Sequence, residues 1–121
     1  MSTSRRPSPT PPPEPTTAEE YVDRGNRYSR NGVYERAIAD YTAAIELDAA
    51  CADAWFNRGI SWYEVGDYPQ SIADFTEAIR LDPSDDNYYS RRSLSYLFND
   101  QPDEAQADMD TSEEIRLRAW G

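Results

Sequence analysis

The sequence contains no lysine and no histidine, so all 12 of its basic residues are arginines. Without histidine there is no imidazole to act as a general base or a metal ligand. Without lysine there is no amine for a Schiff base or a phosphate-binding loop. Cys51 is the single cysteine, which excludes an internal disulfide and a cysteine-rich zinc site. These absences predict a protein that is not an enzyme and that uses neither a metal nor a cofactor.

Long apolar runs are also missing. No segment approaches the length of about 18 apolar residues that a membrane-spanning helix needs. The first residues lack the apolar core of a signal peptide, and together with the single cysteine this leads us to expect a cytoplasmic protein. The 23 acidic residues give a net charge of −11, which repels the phosphates of nucleic acids and of anionic membranes. We therefore expect neither as a partner.

Proline is concentrated at the start of the chain. Residues 1–16 hold six of the nine prolines, and such a segment can neither form a helix nor bury a core. We predict a disordered, proline-rich tail over 1–16 and a folded domain over 17–119, where apolar and charged residues alternate with helical spacing.

An internal repeat of 34 residues runs through the folded part. Residues 18–51 and 52–85 are identical at thirteen of 34 positions, and residues 86–119 form a third, weaker copy. Within each copy, two apolar stripes of helical period are separated by a glycine-containing break, Asn31-Gly32 in the first copy. Because the connections are short, consecutive helices must pack antiparallel. The sequence predicts an all-α fold of three antiparallel helical hairpins.

This pattern resembles the tetratricopeptide repeat over about residues 18–119. The shared features are the period, the glycine between aromatic positions, the Gly-x-Tyr of Gly32 and Tyr34, and the Leu-Asp-Pro that ends at Pro83. The resemblance implies a right-handed superhelix of hairpins that binds protein partners and has no catalytic activity. The chain would then be an adaptor or scaffold that holds a peptide or helical segment in its concave groove.

The same resemblance locates the groove on the first helix of each repeat. Carried over by position, its lining would be Asn26, Phe56, Asn57, Ile60, Tyr63, Asn87, Arg91 and Leu94. The apolar and aromatic members suit a peptide with apolar anchors. The alternative interpretation is that the aliphatic members pack between repeats instead.

Some members of the family clamp the C-terminal carboxylates of heat-shock chaperones with two lysines, two asparagines and an arginine. This chain matches three of those positions with Asn26, Asn57 and Arg91, whereas Val22 and Asn87 occupy the lysine positions. The resemblance thus implies a co-chaperone as an alternative function. The missing lysines and the acidic composition weaken it, since both disfavour an anionic ligand.

The third repeat departs from the pattern, with Ser93 and Asp100 at the two glycine positions and Pro102 at the tyrosine position. Its second helix is polar, as the last unit of a solenoid requires. We expect the helix either to extend or to fray over residues 116–121, which would leave Trp120 partly exposed. Dimerisation through this end is a second alternative function, in which the chain is a self-associating building block.

Arginines and aspartates also recur with the period: Arg24, Arg58 and Arg92, and Asp40, Asp74 and Asp108. A feature that every repeat carries is more typical of architecture than of ligand binding. We predict ion pairs or hydrogen bonds between helices at these positions.

Overall fold

Six α-helices make up the computed structural model, which describes Thr10 and residues 13–121. The helices are α1 Ala18–Arg30, α2 Tyr34–Leu47, α3 Ala52–Glu64, α4 Tyr68–Leu81, α5 Asp86–Phe98 and α6 Pro102–Trp120. The described residues contain no strand, and α1 packs along α2, α3 along α4 and α5 along α6. The predicted all-α fold of three helical hairpins is confirmed. Among the described helices, none is long and apolar enough to cross a membrane.

The breaks between the paired helices lie at one repeat position. Gly32 has φ +75° and Gly66 has φ +87°, a left-handed conformation that glycine adopts without a steric penalty. Asp100 occupies the same position in the third hairpin with φ +59°. The third hairpin therefore keeps the turn of the first two although it has lost the glycine.

Each of the first two hairpins closes around one aromatic ring. Tyr41 of α2 lies against Gly25 of α1, and Phe75 of α4 lies against Gly59 of α3. Both rings are buried, together with small residues such as Ala44 and the other alanines of the core. A glycine on one helix lets the ring of its neighbour approach the backbone, so the paired helices pack closely.

The predicted ion pairs are confirmed in all three hairpins. The guanidinium of Arg58 donates from Nε and Nη2 to the carboxylate of Asp74 at 2.7 and 2.8 Å. Arg24 binds its aspartate at 2.9 and 2.8 Å and Arg92 at 2.7 Å through both nitrogens. Each pair is bidentate and joins the two helices of one hairpin, which makes it a structural feature.

The first helices of the hairpins lie on the inside of the stack. Helix α3 contacts both α1 and α5 directly, whereas α2, α4 and α6 make no direct contact with one another. The layer of first helices is therefore shorter along the stack than the layer of second helices, whose members are spread apart. The stack therefore curves, with α1, α3 and α5 forming its concave face.

The residues just before α1 contact the folded domain. Thr17 caps α1: its hydroxyl accepts from the backbone N–H of Glu20, and the Glu20 carboxylate accepts from the Thr17 N–H. Upstream, Pro15 is buried and Glu14 accepts a hydrogen bond from Arg24 Nη1 at 2.9 Å. Residues 13–16 have no regular secondary structure but lie against α1. Residues 1–9, 11 and 12 of the predicted tail lie outside the described residues.

Candidate peptide-binding groove

The concave face begins with a cleft of about 370 Å³ between α1 and α3. We call it the acidic cleft. Its lining consists of Ala18, Glu19, Val22, Asp23, Asn26, Asp48, Cys51, Asp53 and Asn57. Four of these nine side chains are carboxylic acids and none is basic. The two predicted asparagines, Asn26 and Asn57, therefore lie together, but in a negative field that attracts cations and repels carboxylates.

Asn26 is oriented by the core beneath it. The hydroxyl of Tyr41 donates to Asn26 Oδ1 at 2.6 Å, and burial raises the pKa of Tyr41 to about 12, so the phenol keeps its proton. With the amide oxygen engaged in this way, the amide NH2 of Asn26 is left to donate to a ligand. The position of one asparagine in the acidic cleft is thus set by a buried ring of the same hairpin.

Further along the concave face, the predicted residues form an apolar cluster. Ile60 and Tyr63 of α3 meet Arg91 and Leu94 of α5 above the buried ring of Phe75. The space between them is too small for a water molecule, so these side chains pack against one another. Leu94 is 39% exposed and Arg91 is exposed, which leaves an apolar patch with the guanidinium of Arg91 at its edge.

The two aromatic candidates take part in ring clusters. The Phe56 ring lies 4.8 Å from that of Tyr88 and 5.6 Å from that of Phe75, centroid to centroid. The Tyr63 ring meets Phe98 edge-on at 5.8 Å, and its other neighbour is Tyr68 at 5.7 Å. Both side chains are half-buried, so each helps to hold neighbouring hairpins together and still presents part of its surface.

Asn87 stands apart from the other candidates. It lies exposed in the first turn of α5, where its backbone N–H donates to Asp85 at 2.9 Å, and it lines neither the acidic cleft nor the apolar cluster. Sequence reasoning missed Asp48 and Cys51, which enter the acidic cleft from the α2–α3 connection. Helical spacing could not have located them, because a loop has no period.

The geometry defines a helical-hairpin repeat protein with an open concave face. The family model described as tetratricopeptide repeat matches residues 22–86, more than half of the chain. The chain belongs to the tetratricopeptide repeat family. Domains of this family are generally non-catalytic interaction modules.

Solved structures agree with this assignment. The second TPR domain of Spaghetti (RPAP3), bound to the HSP90 peptide SRMEEVD, is 34% identical, with a TM-score of 0.80 over 83% of this chain and 93% of that one. The second TPR domain of human RPAP3, in complex with the HSP70 peptide SGPTIEEVD, is 35% identical, with a TM-score of 0.79 over 81% and 82%. These likenesses confirm the predicted superhelical stack.

A third similar structure is MamA, at 24% identity and a TM-score of 0.83 over 86% of this chain and 61% of that one. At this sequence identity, the similarity to MamA shows only that the two proteins share a fold. No curated protein sequence matches the chain significantly.

Proposed function

We propose that the chain is a non-catalytic scaffold whose concave face binds a segment of a partner protein. The segment carries a lysine or arginine that enters the acidic cleft and an apolar side chain that covers the apolar cluster. The observation that carries this proposal is the charge of the acidic cleft, where Asp23 and Asp53 lie beside the amide groups of Asn26 and Asn57. A cation there is attracted by these carboxylates and donates hydrogen bonds to them, whereas the free NH2 of Asn26 suits a backbone carbonyl of the bound segment.

The apolar cluster supports the second half of the proposal. Leu94 is partly exposed beside Tyr63, and aromatic side chains are favourable anchors at protein interfaces. The wider pattern, a charged site followed by an apolar site along one curved face, suits an extended or helical peptide with two different anchors.

The test is a peptide selection. A displayed library of random 12-residue peptides is selected against the full chain, and the strongest binder is measured by fluorescence anisotropy. We expect enrichment of lysine or arginine at one position and of an apolar residue at another. The variant Asp23→Asn/Asp53→Asn is expected to weaken binding about fivefold, since exposed charge pairs contribute about 0.2–1 kcal/mol each.

A matched control removes two charges elsewhere. Glu46 and Asp103 are exposed on second helices, outside the acidic cleft. Glu46→Gln/Asp103→Asn changes the net charge equally and should leave the affinity unchanged. Equal weakening by both double variants, or selection of acidic peptides, would overturn the proposal.

The alternative of a co-chaperone is favoured by one observation, the likeness to RPAP3 domains that were solved with peptides ending in Glu-Glu-Val-Asp. Against it, Val22 and Asn87 replace the clamp lysines, and a carboxylate would enter the acidic cleft. The peptide SRMEEVD, compared with its C-terminal amide, separates the two functions. Tight binding that amidation abolishes would establish the clamp; we expect weak binding with little effect of amidation.

Self-association is the remaining alternative. The exposed side chains at the C-terminal end of the stack, Leu97, Met109, Leu117 and Trp120, favour it. Light scattering over a range of concentrations tests it, because a monomer at high concentration rejects a building block of this kind.

A further inference from the structure

The last hairpin leaves uncovered a position that the first two bury. Tyr41, Phe75 and Met109 occupy the same place in successive repeats, 34 residues apart. Tyr41 and Phe75 are each 1% exposed because the following hairpin covers them, whereas Met109 is 54% exposed. Helix α6 continues unbroken to Trp120, so residues up to that point do not fold back over Met109.

A cleft of about 370 Å³ lies over this position between α5 and α6. We call its surface the C-terminal face, defined by Leu94, Gln106, Met109, Asp110, Ser112 and Arg116. Ser112 replaces Ala44 and Ala78 of the earlier repeats, and its Oγ is buried without a hydrogen-bond partner among the described residues. The Oγ of Ser61, inside the covered stack, is buried without a partner among the described residues in the same way. Ser112 therefore distinguishes this face only by placing a polar residue where the earlier repeats have alanine.

In the first two hairpins, the corresponding face is covered by the first helix of the next hairpin, α3 or α5, and this helix shows which side chains such a face binds. Arg58 of α3 donates from Nη1 to Thr42 Oγ1 of the preceding hairpin at 3.2 Å. Arg92 of α5 donates in the same way to Thr76 Oγ1 at 3.1 Å. The next residue in this series is Asp110, so at the C-terminal face a carboxylate occupies the position that accepts an arginine. A guanidinium binds a carboxylate more strongly than a neutral hydroxyl.

Asp110 is accessible for such a bond. Its Oδ1 accepts from Gln106 Nε2 at 2.9 Å, and the residue is exposed on the rim of the cleft. A carboxylate has acceptor capacity for a bidentate guanidinium in addition to one amide. The apolar side chains of Leu94 and Met109 lie next to it and supply the contact area that a docked helix needs.

A second copy of the chain cannot continue the stack through its own α1. Ala54 and Ser61 of α3 are completely buried against the first hairpin, and the corresponding residues of α1 are Glu20 and Arg27, both exposed. Docking α1 in the manner of α3 would bury two charged groups without partners, which is strongly unfavourable. Residues 13–15 also lie against this helix.

We propose that the C-terminal face binds a helix of another protein that presents an apolar or small residue, an arginine and a serine at positions i, i+4 and i+7. This is the spacing of Ala54, Arg58 and Ser61 in α3, and of the matching residues of α5. The arginine binds Asp110, and the side of the helix packs over Met109. This surface is separate from the acidic cleft and adjoins the apolar cluster, with which it shares Arg91 and Leu94. The proposal does not depend on the groove proposal.

The probe for the test is a synthetic, end-capped peptide with the sequence of residues 52–65, which contains this spacing. Its binding to the full chain is measured by fluorescence anisotropy, and the site is located by amide shifts in NMR spectra. We expect shifts at Leu94, Met109 and Ser112, and at least fivefold weaker binding to Asp110→Arg. A peptide carrying Arg58→Glu should bind poorly to the native chain and regain affinity for Asp110→Arg.

The control variant is Glu104→Arg, an equal change of charge at an exposed residue of α6 that does not line the cleft. It should bind the unaltered peptide as the native chain does. Equal loss with both variants, failure of the charge exchange, or shifts confined to the acidic cleft and the apolar cluster would each overturn the proposal. Self-association of the native chain that Met109→Glu abolishes would also overturn it, because the face would then belong to a second copy.

Discussion

A β-carbon added to Gly59 would lie 2.8 Å from Cε1 of Phe75 and 2.9 Å from its Cδ1. The ring is 1% exposed and cannot move outward without displacing the next hairpin. The third hairpin carries Ser93 and Met109 at these two positions. A flexible thioether in place of a rigid ring makes room for a side chain on the facing helix.

Gly59→Ala is therefore expected to lower the free energy of unfolding by about 1–3 kcal/mol, although alanine is normally the better helix former by about 1 kcal/mol. Urea denaturation measures the change. In a Phe75→Met background the same substitution should cost clearly less. A stabilising Gly59→Ala in the native background would show that the ring adjusts freely.

Arg58→Met should leave the carboxylate of Asp74, which is 3% exposed, without its bidentate partner. Breaking a buried pair from one side costs about 3–5 kcal/mol. Burial raises the pKa of Asp74 and the bonds from Arg58 lower it, so removing the arginine raises this pKa further above its value in the unfolded chain.

A carboxyl whose folded pKa is raised favours the folded state at low pH and loses that advantage as the pH rises through the folded pKa. The loss in free energy of unfolding caused by Arg58→Met should therefore be largest near neutral pH and become smaller toward pH 4. Urea denaturation at several pH values checks this. The double variant Arg58→Met/Asp74→Asn has no carboxyl to titrate at this position, so its loss in free energy of unfolding should not become smaller toward pH 4. The same pH dependence in both variants would contradict the explanation.

Asp100→Gly should stabilise the fold. Asp100 has φ +59°, and left-handed backbone costs an L residue about 1 kcal/mol, which glycine avoids. We expect a gain of about 0.5–1 kcal/mol in thermal or urea denaturation. Asp100→Ala removes the same charge but keeps the β-carbon, so it should give no gain. If alanine stabilises as much as glycine, relief of charge repulsion is the cause.

The capping box at α1 should be visible as a lowered pKa. The hydroxyl of Thr17, followed by that of Thr16, donates to the Glu20 carboxylate and lowers its pKa. The stabilisation is thus present above the ordinary glutamate pKa of about 4.3 and is lost as the pH falls through the lowered value. An NMR titration of the Glu20 carboxyl measures it. Thr17→Ala should return the pKa toward its ordinary value, and Thr111→Ala on α6 should not.

Most of the fold could be predicted because the same sequence pattern recurs in each repeat. The 34-residue period located the hairpins, and the recurrence of Arg58 with Asp74 in the neighbouring copies indicated a structural pair before any distance was known. The candidate site was less predictable. From the sequence, Phe56 is predicted to contact a bound peptide, but its ring packs against Tyr88 of the next hairpin.

The sequence by itself determined the helices, their ends and their order, since these depend on apolar period, caps and left-handed turns within a few residues. Only the tertiary structure decided what the surface offers. It brought Asp48 from a loop into the same cleft as Asp23, laid Pro15 against the folded domain, and exposed Met109 where its two counterparts are buried. Burial and local charge arise from contacts between residues distant in the chain, and such contacts exist only once the hairpins are stacked.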